Sequence, residues 1–407
     1  MKHLPVLLVA LAAAALLAPA VFAEDDVTLA EARTKGKPIL NFRYRYENVD
    51  DDAFDKKAHA STLRTVVGYR TQTWKGFGFH IEAENVATVG NDLYNNVGAG
   101  SLNNGVTDRP VVADPAITDL NQTYLWFEKG GSFLQVGREE ITVDDHRFVG
   151  NVGWRQHHQS FSALNFTNKS LDWANFRYAY ISKVHRIQGS TWDSDSHVVN
   201  ARFKLGEVGK FGTLTPYAYL LDFDNVPQFG ISSASYGLEY QGKYKIDDDK
   251  SMNWEAEYAA QRDYGDNPND LDANYLFLAV QGVFKPLSVK LGYEVLSGSP
   301  EDGRFTTPLA TLHKFNGWAD KFLNTPVTGL KDLYLALNGK IGPVKWLAVY
   351  HDFSAESTST DFGGELDFQF LYTAPWKQGF GLKGALYSAD EFSTDTDKIW
   401  VFTTFKI

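Results

Sequence analysis

The sequence predicts an all-β fold: a transmembrane, antiparallel up-and-down β-barrel of about eighteen strands, with short periplasmic turns and long extracellular loops. Three observations predict it. Apolar and polar residues alternate with period two in one segment after another, the connections alternate between short and long, and the chain opens on an export leader.

The leader comes first. Lys2 and His3 form a short basic start, Leu4 to Leu17 is apolar except for Pro5, and Val21-Phe22-Ala23 is a small-x-small cleavage site. The apolar run is too short to span a bilayer, and processing near Ala23 is expected. Residues 24–36 then read as a short periplasmic segment and residues 37–407 as the barrel. Removing the leader takes away Lys2, leaving 38 basic against 50 acidic residues, a formal charge of −12. That balance argues against nucleic acid, which needs a basic face. Without cysteine, neither a disulfide framework nor a thiolate metal site is possible. Past the leader no run of 18 apolar residues occurs, although 20 Tyr, 28 Phe and 10 Trp make the chain rich in aromatics. A chain whose alternate residues face lipid has this character, because the polar half keeps the average hydropathy low.

Period two is clearest in the first segment, where Leu40, Phe42, Tyr44 and Tyr46 alternate with Asn41, Arg43, Arg45 and Glu47. Successive side chains on a strand point to opposite faces, so one face is apolar and the other ionic. The same opposition recurs at Leu63 to Tyr69 against Arg64 and Arg70, and at Phe77 to Ala83 against His80, Glu82 and Glu84. It returns at 175–180, 236–241, 252–258, 289–295 and 365–372. A repeated ionic face opposite an apolar one fits water inside and lipid outside.

Strands are expected near 40–47, 62–71, 77–86, 118–127, 133–141, 158–166, 172–181, 197–204 and 213–222. They continue near 233–241, 252–262, 273–283, 287–295, 331–338, 344–352, 364–372, 379–387 and 398–407. Eighteen is an even count, as bacterial single-chain barrels have, and most segments approach the roughly 9–11 residues that cross a bilayer at a tilt. Facing is ambiguous in 118–127, 273–283 and 344–352, where both parities are apolar. Even-numbered connections are expected to be short, with turns at 72–76, 130–132, 167–170, 246–250, around Pro286 and at 341–343. Two odd-numbered ones are very long, roughly 87–117 and 296–330. The alternating, aromatic end from Lys398 to Ile407 resembles the signal read by the barrel-assembly machinery, although that signal usually ends in Phe.

Two loop segments resemble the alginate-export family of outer-membrane channels. One runs from Gly137 through Asp144-Asp145-His146-Arg147 and Trp154-Arg155 to Gln156 and on to Phe161. The other runs from Thr307 through His313-Lys314-Phe315-Asn316-Gly317-Trp318 to Lys321 and Leu323. The resemblance implies an eighteen-stranded barrel in the outer membrane whose lumen arginines and loops attract an anionic polysaccharide, with no cofactor. It also implies that Arg138, Arg147 and Arg155 sit near a constriction, with Trp154 and Trp318 placed to stack on sugar faces.

Independently, guanidinium groups bind carboxylates in a bidentate fashion. Arg43, Arg45, Arg64, Arg70, Arg177, Arg202, Lys290 and Lys383 all have the polar parity of their strands. The expected solute path is lined by these residues, save Lys383, together with Glu82, Arg138, Arg147, Trp154, Arg155, Lys314, Trp318 and Lys321. The alternative for each is a structural role, because Glu84, Glu239, Glu255, Glu257, Glu294, Glu365 and Asp367 share the lumen and can pair with the cations. Reversing Arg43 and Arg45 to Glu is expected to lower anion permeability without preventing assembly.

Other signals carry less. Asp50-Asp51-Asp52 and Asp247-Asp248-Asp249 lack the spacing of a calcium loop and read as solvated charge. His146, His157 and His158 lack a completing carboxylate spacing for a metal. No Gly-x-Ser-x-Gly, phosphate loop or cysteine nucleophile occurs, so an enzyme is not expected. Three functions stand: a conduit for an acidic polysaccharide or its oligomers, an uptake porin for small anionic or sugar solutes, and a structural or adhesive surface barrel.

Overall fold

The computed structural model describes residues 27–207 and 209–406. The expected leader and its cleavage site at Ala23 lie outside these residues. A one-and-a-half-turn helix, α1 (Leu29–Thr34), precedes the first strand. Thr28 and Glu31 close a reciprocal capping box at its start. The helix docks on the short-turn end of the barrel, where Gln72 donates its backbone N–H to Ala32 (2.9 Å) and the Tyr69 hydroxyl donates to the Arg33 carbonyl (2.8 Å).

The strands follow in order: β1 (Lys37–Asp51), β2 (Ala58–Arg70), β3 (Phe77–Thr88), β4 (Ile117–Lys129), β5 (Ser132–Glu139), β6 (Ser160–Leu171), β7 (Ala174–His185), β8 (Thr191–Lys204) and β9 (Thr213–Leu221). Then come β10 (Ser233–Lys245), β11 (Lys250–Asp263), β12 (Asp272–Phe284), β13 (Leu287–Leu296), a two-residue hairpin β14 (Gly298–Ser299) and β15 (Gly303–Arg304), β16 (Leu330–Ile341), β17 (Val344–Ser354), β18 (Asp361–Thr373), β19 (Gly379–Ser388) and β20 (Thr396–Lys406). Every strand outside the hairpin pairs antiparallel with its sequence neighbours, β13 pairs β16, and β20 closes on β1 through a register running from Asn41↔Lys406 to Asp51↔Thr396. Among the described residues this is an eighteen-stranded closed ring without a free edge.

The expected facing holds. Arg43, Arg45, Glu47, Arg64, His80, Glu82 and Glu84 are buried inside the ring, whereas Val67, Phe77, Ile81, Tyr236, Leu238, Leu291 and Leu366 are exposed on its outer face. An apolar exterior over an ionic interior is the arrangement a bilayer selects, because only a closed barrel satisfies its backbone in hydrocarbon. The three ambiguous strands resolve inward at Tyr124 and Trp126, at Tyr275, and at Val349 and His351, with Leu125, Leu278 and Tyr350 outside.

Two expectations are corrected. The turn expected at 167–170 is strand: β6 runs on to Leu171 through an irregular register after Asn168, and the chain turns at Asp172-Trp173. The connection between β8 and β9, residues 205–212, lies on the short-turn end yet is longer than the outer connection 186–190 between β7 and β8. The two long loops span 89–116 and 297–329 and, with loop 140–159, fold inward rather than outward. They bury Ile141, Phe148, Val149, Phe305, Leu309, Trp318 and Phe322 against inward wall residues such as Phe161, Ile181, Tyr219, Phe353 and Trp400. Loop 89–116 adds a second small core, Tyr94 and Val112 against Val49, Ala58 and Ala60.

Candidate functional site: the lumen and its inward loops

The wall strands β1 and β2 present an arginine-bearing arc, Arg43, Arg45 and Arg64, and loop 140–159 covers it. Arg43 donates through Nε to Gln156 Oε1 (2.8 Å), through Nη1 to the Gly153 carbonyl (3.0 Å) and through Nη2 to the carbonyls of Trp154 (3.0 Å) and Arg155. Arg45 reaches the Trp154 carbonyl and pairs with Asp114, which loop 89–116 delivers and whose other oxygen accepts the Gln156 N–H (2.7 Å). Arg64 meets His158 and lies 3.8 Å from Glu84. Glu84 also takes His157 Nδ1 at 2.8 Å. Arg43 and Arg45 are 7% and 1% exposed, so both act as clamps on the loop rather than as open pore lining.

A second arc, whose inward acids are Glu294 on β13, Asp332 on β16 and Glu365 and Asp367 on β18, is acidic, and loop 297–329 covers that. Trp318 and Ala319 donate backbone N–H groups to Asp367 (3.1 Å) and Glu365 (2.7 Å). Asn316 donates its amide to Glu294 (2.6 Å) and Asp332 (3.1 Å), and its oxygen accepts from Arg147 Nη2 (3.0 Å). The approach is close enough that a Cβ on Gly317, whose φ is +83°, would lie 2.3 Å from Glu365 Oε2, so only glycine fits there. Arg147 crosses from loop 140–159 to sit 2.8 Å from Glu294.

Asp320 joins the two loops and the wall. It lies 2.9 Å from Arg155 Nη2 and 2.8 Å from Lys398 Nζ, and it accepts from His313 Nδ1 at 2.7 Å. Burial alone would raise its pKa, but His313, Lys398 and Arg155 hold it well below the usual carboxylate range. Arg155 also pairs with Glu47 at 3.3 Å. Next to this junction Lys383 donates to His313 Nε2 (2.7 Å) and lies over the rings of Trp318 (3.5 Å) and Trp154 (4.2 Å), while Trp154 stacks on His313 at 5.1 Å. The indoles expected to face sugar therefore already carry a lysine of the chain itself.

The remaining expected residues divide in two. Arg138 is bidentate to Asp119, Arg202 lies 2.8 Å from Asp144, Lys321 2.9 Å from Asp51 and the half-exposed Lys314 3.9 Å from Asp145. Arg177 donates to the Thr142 carbonyl, and Glu82 accepts from Asn121 (3.4 Å) and Gln122 (3.3 Å). Arg70 and Lys290, at the short-turn end, stand apart. Arg70 lies 4.0 Å over Trp126 and donates to the Tyr124 hydroxyl (3.0 Å), and Lys290 lies 5.1 Å over Phe277. Among the described residues neither has a carboxylate within 4.0 Å.

Cavities lie at both ends of the loop layer, and two of them bear on the charged residues. One of about 430 Å³ opens at the short-turn end and is lined by Gln241, Lys243, Asn253, Glu255, Gln281 and Lys290. The other, about 560 Å³, opens at the long-loop end beside Arg147, Arg186 and Arg304. Sequence reasoning passed over Asp114, Asn316, His313, Asp320 and Lys398. Asn316-Gly317 carried a turn signal, but Asp114 carried none.

Among curated proteins no relative matches the chain. Among solved structures the chain is similar to Pseudomonas aeruginosa OpdK with vanillate, at TM-score 0.70 and 12% identity over 91% of this chain and 98% of that one. It is similar to Acinetobacter baumannii OccAB2 at TM-score 0.69 and 14% identity over 91% and 98%, and to Pseudomonas aeruginosa OpdQ at 0.67 and 14% over 92% and 99%. At such identities the likeness shows the fold. The family model for alginate export matches residues 39–304, well over half of the chain. The match takes in the basic arc and the first loop segment, and it ends just before the second. With its closed, lipid-facing ring and an ionic lumen, the chain belongs to the alginate export family, and it is an outer-membrane β-barrel channel.

Proposed function

We propose that the protein is a passive conduit carrying acidic saccharides, as polymer or oligomer, across the outer membrane without a cofactor or a chemical step. The observation that carries the reading is the pair of uncompensated cations at the short-turn end, Arg70 and Lys290, which have no carboxylate within 4.0 Å among the described residues. A uronate carboxylate supplies what they lack, and their stacking on rings leaves the charge available. Membership in the alginate export family supports an acidic polymer as cargo. Weak, repeated contacts suit release as well as entry.

A second reading, uptake of small anionic or sugar solutes, is favoured by the two bounded cavities on either side of the loop layer. The similar OpdK structure holds vanillate, a small carboxylate, which supports the same reading. Single-channel recording separates the possibilities. Current blocked by trigalacturonate supports the conduit, open current with small-solute selectivity and no blockade supports uptake, and absence of current from inserted protein supports a structural or adhesive barrel and overturns both.

A further inference from the structure

The cavity at the long-loop end has a composition that the wall arginines do not share. Loops 186–190, 222–232, 264–271 and 297–329 enclose it, and Trp192, Leu271 and Leu296 supply an apolar side. Its volume of about 560 Å³ falls in the range of about 300–1,000 Å³ typical of small-ligand sites. Three guanidinium groups line it, Arg147, Arg186 and Arg304. Arg186 lies 4.2 Å over the Trp192 ring and donates through Nη1 to the Pro308 carbonyl (2.8 Å) and to Gln159 Oε1. Arg304 donates through Nη1 to the Thr325 carbonyl at 2.7 Å.

Neither Arg186 nor Arg304 has a carboxylate within 4.0 Å among the described residues, whereas Arg147 on the same cavity is held against Glu294 at 2.8 Å. The two acids that line the cavity, Asp270 and Glu301, are exposed at its rim. Burial pushes the Arg186 pKa down to about 10, still leaving the group charged at neutral pH. A carbonyl, an amide oxygen and an indole thus fix where the Arg186 fork sits, and a carbonyl anchors Arg304, without neutralising either. A desolvated guanidinium without a counter-ion is costly, and a fork held in place by other bonds is preorganised for a bidentate anion.

We propose that Arg186 and Arg304 form a carboxylate-binding subsite at the extracellular mouth that holds a uronate residue of the cargo on the outer side of the loop layer. The proposal rests on the conduit reading and adds to it a place and two residues. Arg70 and Lys290 lie at the other end, so the two pairs bracket the loops.

The test is blockade by trigalacturonate, with neutral maltotriose as control, added on the long-loop side of single channels in planar bilayers. Wild-type channels are expected to show long trigalacturonate blockades and none of comparable length with maltotriose. Replacing Arg186→Gln with Arg304→Gln is expected to shorten them by about tenfold or more, because charge-assisted hydrogen bonds are lost. The Arg186→Lys, Arg304→Lys pair is expected to fall between, because the charge stays while the fork geometry goes. Arg304→Gln alone, which leaves the Arg186 anchors to Pro308 and Gln159 in place, carries the same expectation at smaller size if the double variant fails to insert. Blockades of unchanged length in the Gln variants would overturn the subsite and leave the conduit reading standing. Conducting wild-type channels that trigalacturonate never blocks from either side would overturn the conduit reading itself.

Discussion

Loops 140–159 and 297–329 both fold into the lumen, yet they settle on walls of opposite charge by opposite means. Against the basic arc the first loop turns its carbonyls outward, so Arg43 alone takes three backbone oxygens. Against the acidic arc the second turns its N–H groups outward, giving Asp367 and Glu365 the donors of Trp318 and Ala319. The peptide unit carries both ends of a dipole, and a loop neutralises a wall of either sign by choosing which end it shows. A barrel wall can therefore hold charge for anchoring its plug as readily as for attracting its cargo. On the wall, the cations free for cargo are those the loops do not reach.

The two loops meet at Asp320, and the largest effect is expected there. Asp320→Ala leaves Arg155 and Lys398 without that partner in a buried setting, a loss of about 3–5 kcal/mol by analogy with other broken buried pairs. Larger and noisier single-channel conductance is expected, with the barrel ring still intact by its resistance to unfolding in detergent gels. Conductance identical to wild type would show that the junction does not hold the loops. Next in size is Arg43→Glu with Arg45→Glu. The sequence alone predicts a selectivity change with normal assembly. The structure instead predicts expulsion of loop 140–159, because two carboxylates would face the loop carbonyls, and greater protease cleavage within 140–159 measures it. An uncut loop with only a shifted reversal potential would favour the simpler expectation.

Strand count, order and facing were legible because lipid outside and charge inside impose period two on nearly every strand. The rule blurs where a folded-in loop supplies an apolar surface for the interior. Tyr275 faces inward because Phe148 and Phe305 lie within 6 Å of its ring, and no local pattern announces them. Asn168-Lys169-Ser170 has turn composition but is absorbed by an irregularity in β6. For the site, sequence parity located Arg43 and Arg45 but not their partners, since Gly153 and Asp114 come from loops far along the chain. Arg186 and Arg304 had neither strand parity nor a motif. Their distinction is the absence of an acid nearby, which appears only when the fold assembles the cavity.

A smaller effect should separate lumen acids from lumen cations by permeability. Glu239, Glu255 and Glu257 face the lumen on β10 and β11, and among the described residues the one basic group within 4.0 Å of them is Arg202, 3.6 Å from Glu239. Changing Glu255, which lines the short-turn cavity, to Gln is expected to raise anion over cation permeability, while Arg70→Gln with Lys290→Gln lowers it. The reversal potential in a potassium chloride gradient reads both, and shifts of the same sign in the two variants would refute the opposed roles of these lumen acids and cations.

The smallest expected effect is a response to acid in the loop on the basic side. Burial tends to raise the pKa of Glu140, but His158, Asn151 and Asn121 outweigh it and hold the carboxyl at about 2, against an ordinary 4.5. A carboxylate depressed by docking supports the docked loop fully above its undocked pKa, and that support disappears as pH falls through the docked one. The window is therefore about pH 4.5 down to about 2. Channels bathed at pH 3 should open loop 140–159 more often than at pH 7, reversibly, as brief upward current steps. Glu140→Gln, which cannot lose a charge, should show a weaker pH dependence over the same range. Gating equally pH-sensitive in the variant would place the titrating group elsewhere, with Asp320 on the other loop the first to examine.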